Sequence, residues 1–249
     1  MCKLLKRLGC SFHKASSFLF KADRDKQETF VEDYEKDKKD LEKENADGQQ
    51  NYRRYFIDGV HPLYGMEVLF YCWLLVGQRF EVGVGGGRKR LNILGAYCPE
   101  DQDYVDRRYT DKNLNAQSVI ELFEAIMAKH PKTKHFRIYL DNARYQHAKI
   151  LKEWIEQTRK DKEVWFDLKH LPAYSPNLNL IERLWKFLRK EALQKWHQTF
   201  EAMQEAVAEV LDNLSRYQAQ LKTLMTEKFH IRPDVSTIIV GVGQTKKAG

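Results

Sequence analysis

The sequence predicts an α/β fold with a mixed five-stranded sheet, flanked by helices and followed by a helical C-terminal extension. Three observations support this prediction. Apolar and aromatic runs of strand length occur at residues 55–58, 68–76, 90–97, 136–140 and 164–171. Residues 116–129 and 147–158 have helical spacing between the later strands. From residue 200 onward, apolar residues recur every three or four positions, which predicts one long amphipathic helix or two joined ones.

The order of these elements predicts how the strands pair. Three successive strands, separated by turns that include the glycine-rich stretch 83–87, indicate an antiparallel meander. The later alternation of strand, helix and strand indicates parallel pairing. This order is compatible with a ribonuclease-H-like sheet, and the main domain is expected to span residues 51–197, with a helix and tail at 198–249.

Charge is unevenly distributed along the chain. The net charge is +7 over 249 residues, but residues 21–47 contain 7 basic and 11 acidic side chains, so the rest carries +11. A basic surface favours polyanionic partners, nucleic acid above all. Residues 21–50 are interpreted as a charged, solvated linker helix, because Phe30, Tyr34 and Leu41 form only a thin apolar stripe.

Cysteine usage and hydropathy exclude other classes of protein. The four cysteines form no C-x-x-C pair and no histidine lies at zinc-ligand spacing from them, so we expect reduced thiols. No stretch of about 18 apolar residues is present, so no membrane span is predicted, and we expect a cytoplasmic protein.

Two aspartates stand where predicted strands end, and a glutamate follows on a helix. Asp58 and Asp141 each follow a strand, where an unpaired acid costs desolvation and two neighbouring acids repel. A divalent cation such as Mg²⁺ relieves both costs, because it prefers carboxylate oxygens. Glu182 lies in the second turn of a predicted helix that Ser175 would cap. The alternatives are that each aspartate only begins a turn and that Glu182 only pairs with Lys186.

Three motifs carry a resemblance to a known family. They are DGVHP at 58–62, LDNARY at 140–145 and YSPNLNLIERLW at 174–185, of which the last is the most specific. Together they resemble the catalytic motifs of DDE transposases, specifically the bacterial insertion sequence 630 family of the mariner superfamily. The stretch GRKRLNILGA at 87–96 resembles another part of that family. Residues 1–20 resemble the end of its N-terminal DNA-binding region, so most of the helix-turn-helix region would be lacking.

The resemblance implies a function and a site. Asp58, Asp141 and Glu182 would be catalytic and would hold two Mg²⁺ ions, or Mn²⁺. The activity would be DNA cleavage and strand transfer, with insertion at TA dinucleotides. The partners would be double-stranded transposon ends and target DNA, with a possible homodimer on DNA, in the bacterial cytoplasm at the nucleoid. The alternatives are a ribonuclease-H-like nuclease without strand transfer and an inactive DNA-binding remnant.

Basic residues near the motifs are candidates for DNA contacts. Arg88, Lys89 and Arg90 follow the glycine-rich turn and could hold the phosphate backbone, although a solvated loop explains them equally well. Arg144 and His147 lie within a few residues of Asp141. Local turn contacts explain these two as well as DNA binding does.

Overall fold

A computed structural model of the chain describes residues 2–8, 22–45, 51–65, 76 and 89–231. Five strands form one sheet in the order β3-β2-β1-β4-β5. The pairs β1–β2 and β2–β3 are antiparallel, whereas β1–β4 and β4–β5 are parallel, so the predicted mixed sheet is confirmed. The strands are β1 (Tyr52–Val60), β2 (Asn92–Cys98), β3 (Asp103–Tyr109), β4 (His135–Leu140) and β5 (Trp165–His170).

One strand of the meander differs from the sequence prediction. The predicted strand at 68–76 lies outside the described residues, apart from Val76, which is in a turn. The third strand of the antiparallel part is β3, which the sequence analysis missed. Its charged residues Asp106, Arg107 and Arg108 interrupt any apolar alternation. They are tolerated because β3 is an edge strand whose seven residues are all half-buried.

Helices cover both faces of the sheet. On one face lie α3 (Ala116–Lys129) and α4 (Lys149–Lys162), which pack against apolar side chains of β1 and β4. Helix α3 begins at a capping box in which Asn115 and Ser118 satisfy each other's backbone N–H groups. On the other face lie α2 (Arg24–Glu44), α5 (Ile181–Leu188) and α6 (Phe200–Asp212). A further short helix, α1, spans Cys2–Arg7.

Helix α2 belongs to the core, which corrects its interpretation as a solvated linker. The thin stripe of Phe30, Tyr34 and Leu41 is buried. Tyr34 packs against Phe56 of β1 and Tyr139 of β4, with ring centroids 5.7 and 5.3 Å apart. Val31 packs against the same core, and most charged residues of the helix lie on its other, more exposed face.

The C-terminal extension is helical and broken. After α6 the chain makes a 3₁₀ turn and continues as α7 (Gln218–Leu224), so two joined helices replace a single long one. Met203, Val207 and Leu211 of α6 are buried in the same core as α5. Within the described residues, no helix combines the length and apolar character needed to cross a membrane.

Candidate active site

Asp58 lies in β1, two residues before the strand ends, and a tryptophan fixes its carboxylate. Its neighbour across the β1–β2 ladder is Gly95. The indole of Trp185, which is 1% exposed, lies over Gly95 so closely that a Cβ there would be 2.5 Å from Cη2 of the ring. From this position, Nε1 of Trp185 donates a hydrogen bond of 3.2 Å to Oδ2 of Asp58.

Asp141 follows the last residue of β4 and is exposed. The chain then folds back in a 3₁₀ turn, Arg144–His147. This turn brings Nε2 of Gln146 to 2.5 Å from Oδ1 of Asp141, and the backbone N–H of Ala143 donates to the same oxygen at 3.3 Å. Sequence reasoning missed Gln146, because no periodicity or motif marks a single glutamine.

Glu182 lies in the first turn of α5, one turn earlier than predicted. Ser175 occupies the predicted N-cap position, with Pro176 as the first helical residue, but of a separate 3₁₀ turn at Pro176–Leu178 and not of α5. Its side chain caps no backbone N–H, because Oγ donates to the carbonyl of Ala173. The loop is tied to β1 by Asn179, whose Nδ2 donates to the carbonyl of Ile57 at 3.1 Å. Because Ile57 directly precedes Asp58, this bond fixes the start of α5 relative to the first aspartate.

The three carboxylates line one cleft of about 440 Å³. Asp58 comes from a central strand, Asp141 from the end of the parallel neighbour β4, and Glu182 from the helix packed across the sheet. The other wall is the loop that follows β5. The remaining lining residues are Asn142, Ala143, Leu171, Pro172, Ala173, Tyr174, Ser175, Pro176 and Asn179.

A family model matches the part of the chain that forms this cleft. The model of the DDE superfamily endonuclease family matches residues 53–204, a span that contains all three acids. The chain belongs to this family of DDE superfamily endonucleases. No curated protein matched the chain.

Solved structures with the same fold are similar to this DDE superfamily endonuclease over most of its length. The crystal structure of the Mos1 mariner paired end complex with Mn has a TM-score of 0.59 and 14% identity, covering 90% of this chain and 67% of that one. A pre-cleavage Mos1 transpososome has a TM-score of 0.57 and 13% identity, covering 90% of this chain and 66% of that one. The Mos1 paired-end complex with the left transposon end has a TM-score of 0.55 and 14% identity, covering 85% of this chain and 62% of that one. The chain thus spans about two thirds of these relatives, and its predicted ribonuclease-H-like fold is confirmed.

The electrostatics of the cleft are those of crowded acids. Burial raises the pKa of the Asp58 carboxyl to about 8, and the negative charges of Glu182 and Asp141 act in the same direction. The hydrogen bonds from Gly59 and Trp185 oppose this shift without cancelling it. Burial also raises the pKa of Glu182, against the positive charges of Arg189 and Lys186. Burial and the neighbouring acids therefore disfavour the ionised form of Asp58.

This donor set fits a divalent metal ion in its chemistry. Carboxylate oxygens are the ligands that Mg²⁺ prefers, and the three acids that line this cleft supply them. Within the described ranges, no three acidic, histidine or cysteine side chains already stand in a geometry that would hold a metal.

The candidate DNA-binding residues divide into two places. Arg144 and His147 lie beside Asp141, and the ring of His147 stacks on His170 with centroids 4.7 Å apart. His170, which the sequence analysis did not single out, donates from Nδ1 to the carbonyl of Asp141 at 3.1 Å. The imidazole of His170 is thus tied to the backbone of Asp141, although neither histidine is among the residues that line the cleft of the three acids.

Lys89 and Arg90 lie elsewhere, in a separate cavity of about 690 Å³ that also borders α6. Nζ of Lys89 is 3.4 Å from Oε1 of Glu201, and Arg90 donates to Asn113. Arg88 lies outside the described residues. Lys89 and Arg90 therefore do not lie with the carboxylates.

Proposed function

We propose that this chain is the catalytic part of a DNA transposase, which cleaves DNA and joins strands through Asp58, Asp141 and Glu182. The observation that carries the proposal is the cleft that these three acids line, inside the part matched by the endonuclease family. The cofactors proposed are two Mg²⁺ ions, or Mn²⁺. Mos1 structures of similar fold include complexes described with Mn and with Mg, which supports this choice of metal.

The chain's own residues would hold and orient the acidic oxygens. Trp185 donates an N–H to one carboxylate oxygen of Asp58, and Gln146 donates an N–H to one carboxylate oxygen of Asp141. Asn179 keeps the Glu182 helix in register with β1. When bound, two divalent ions would activate a water or 3′-hydroxyl nucleophile and stabilise the leaving oxygen at phosphorus.

The proposed substrates are double-stranded transposon ends and target DNA. Insertion at TA dinucleotides, a homodimer on DNA and action in the bacterial cytoplasm at the nucleoid follow from the resemblance to the insertion sequence 630 family. TA steps suit such a reaction because they are easily kinked. Phosphate contacts from Arg144 and His147, in the turn that follows Asp141, and from the 88–90 stretch would hold the DNA backbone.

Cleavage and joining can be tested separately with the intact chain. Supercoiled plasmid is incubated with Mg²⁺, Mn²⁺ or EDTA, and a labelled duplex with a free 3′-hydroxyl is added to report joining. We expect metal-dependent nicking and covalent transfer of label to the plasmid. Asp161→Asn, an exposed acid on α4, serves as control and should behave as wild type.

The outcomes distinguish the alternatives. Nicking without transfer of label would indicate a nuclease without strand transfer. If the folded protein binds DNA but nicks it with neither metal, the transposase proposal is wrong and an inactive DNA-binding remnant remains.

A further inference from the structure

Gln146 is a buried polar residue that packing alone does not explain. Its side chain is 2% exposed, yet it carries a full amide. Nε2 donates a hydrogen bond to Asp141. Oε1 is buried and accepts no hydrogen bond from any group in the described part of the chain. Burying an unpaired amide oxygen costs free energy, so an apolar side chain of similar size would pack better there.

The way Asp141 is bound differs from that of two acids that pair with buried arginines. Arg54 pairs with Glu100, and Arg53 pairs with Asp101. Asp141 instead takes neutral N–H donors from Gln146 and Ala143, and Asp58 takes a neutral N–H from Trp185. A neutral donor orients a carboxylate without cancelling the charge that would attract a cation.

The donors on Asp141 are also one-sided. Gln146 and Ala143 both donate to Oδ1. The 3₁₀ turn that carries Gln146 is anchored at both ends by strand β4 and helix α4, so the amide has little freedom to follow a rotating carboxylate. Both hydrogen bonds from these donors therefore fall on the same oxygen, Oδ1.

We infer that Gln146 is a positioning residue, which fixes the Asp141 carboxylate through Oδ1 so that Oδ2 is presented to a divalent metal ion in the cleft. This inference rests on the proposed function. Hydrogen-bond partners of metal ligands typically contribute about ten- to a hundredfold to metal affinity. Gln146 acts through Asp141 and does not itself touch the substrate.

The test compares two glutamines that each bond an aspartate. Gln146→Met removes the amide at nearly constant size. The matched control is Gln157→Met, because Nε2 of Gln157 bonds both oxygens of exposed Asp161 at 2.8 Å, outside the cleft. Mn²⁺ binding is measured by calorimetry without DNA, and plasmid nicking is measured against Mn²⁺ concentration. We expect Gln146→Met to weaken Mn²⁺ binding about tenfold or more, with nicking restored at saturating Mn²⁺, and Gln157→Met to match wild type.

A second measurement uses the wild-type protein, so it does not depend on the variant folding. The ¹⁵N side-chain amide resonance of Gln146 should shift during Mg²⁺ titration, while that of Gln157 stays in place. Equal Mn²⁺ affinities for the two variants, or an unmoved Gln146 resonance while Mg²⁺ binds, would overturn the inference. Wild type that binds Mn²⁺ without nicking DNA would contradict the proposed function alone. Wild type that binds no Mn²⁺ would contradict both.

Discussion

The indole N–H of Trp185 is bonded to Oδ2 of Asp58 because Gly95 leaves room for the ring on the neighbouring strand. The carboxylate, the tryptophan and the glycine therefore form one unit across β1, α5 and β2. This unit explains why a strand glycine stands opposite a catalytic candidate in the ladder. It also makes the geometry of Asp58 sensitive to a residue that does not touch it.

Gly95→Ala should destabilise the protein and impair DNA cleavage together. The new methyl group would overlap the indole of Trp185, and overpacking of this kind costs about 1–3 kcal/mol. Denaturant unfolding measures the loss of stability. Gly59→Ala is the comparison, because its methyl group would meet only the terminal Cδ1 of Leu114, which can rotate away. Its loss of stability should therefore be smaller.

The double variant Gly95→Ala, Trp185→Phe should regain stability but not cleavage, since phenylalanine has no N–H. Full recovery of cleavage would refute the role of the indole.

Asp141→Asn should abolish metal-dependent cleavage without loss of folding. Asparagine keeps an acceptor for Gln146 and Ala143 but removes a negative charge from a cleft where Asp58 and Glu182 are close. In EDTA, its melting temperature should equal or exceed that of wild type. Cleavage at the wild-type rate by the variant would remove Asp141 from the catalytic assignment.

The metal-free protein should lose stability through Asp58 as the pH rises. The pKa of this carboxyl is about 8 in the folded chain, mainly through burial, against an ordinary value of 3.8. Between about pH 4 and pH 8 the unfolded chain therefore binds fewer protons than the folded one, so this contribution falls with rising pH. In EDTA, the stability advantage of Asp58→Asn over wild type should grow by at least about 1.4 kcal/mol between pH 5 and pH 8, the equivalent of one pKa unit. Excess Mg²⁺ should reduce that pH dependence in wild type, and an advantage that is constant with pH would contradict the burial argument.

Elements with a strong periodicity were predictable from the sequence, whereas contacts between distant residues were not. The helix Ala116–Lys129 has the predicted bounds because Val119, Phe123 and Ile126 repeat at helical spacing. The edge strand β3 was missed because Arg107 and Arg108 give it no apolar alternation.

The residues of the candidate site were likewise predictable only in part. Asp58, Asp141 and Glu182 could be selected from motifs and strand ends, and the structure brings them to one cleft. Their roles in catalysis remain predictions. Gln146 and Asn179 could not be selected, since each matters only through one hydrogen bond that folding creates. The burial of α2 was likewise hidden, because Tyr34 finds its hydrogen-bond partner 193 residues away in Glu227.

Glu227→Gln should destabilise the protein at neutral pH and have little effect in acid. Glu227 accepts from Tyr34 of α2, from Lys38 at 3.1 Å and from Arg54 of β1 at 3.1 Å, so one carboxylate joins the C-terminal segment to the helix and the sheet.

Burial acts to raise the pKa of Glu227, but the Tyr34 hydrogen bond and the charges of Arg54 and Lys38 outweigh it, and the pKa is lowered. The stabilisation is therefore present above the pKa of the unfolded chain, ordinarily 4.5, and is lost as the pH falls through the lower folded value. Denaturant unfolding should show a loss of about 1–3 kcal/mol at pH 7, the cost of weakening hydrogen bonds to a charged group, and this loss should shrink as the pH is lowered into the acid range. Glu205→Gln, an exposed acid on α6, is the control and should change stability by less than about 0.5 kcal/mol at either pH. If Glu227→Gln costs the same at both pH values, the ionised carboxylate is not what holds α2 to the sheet.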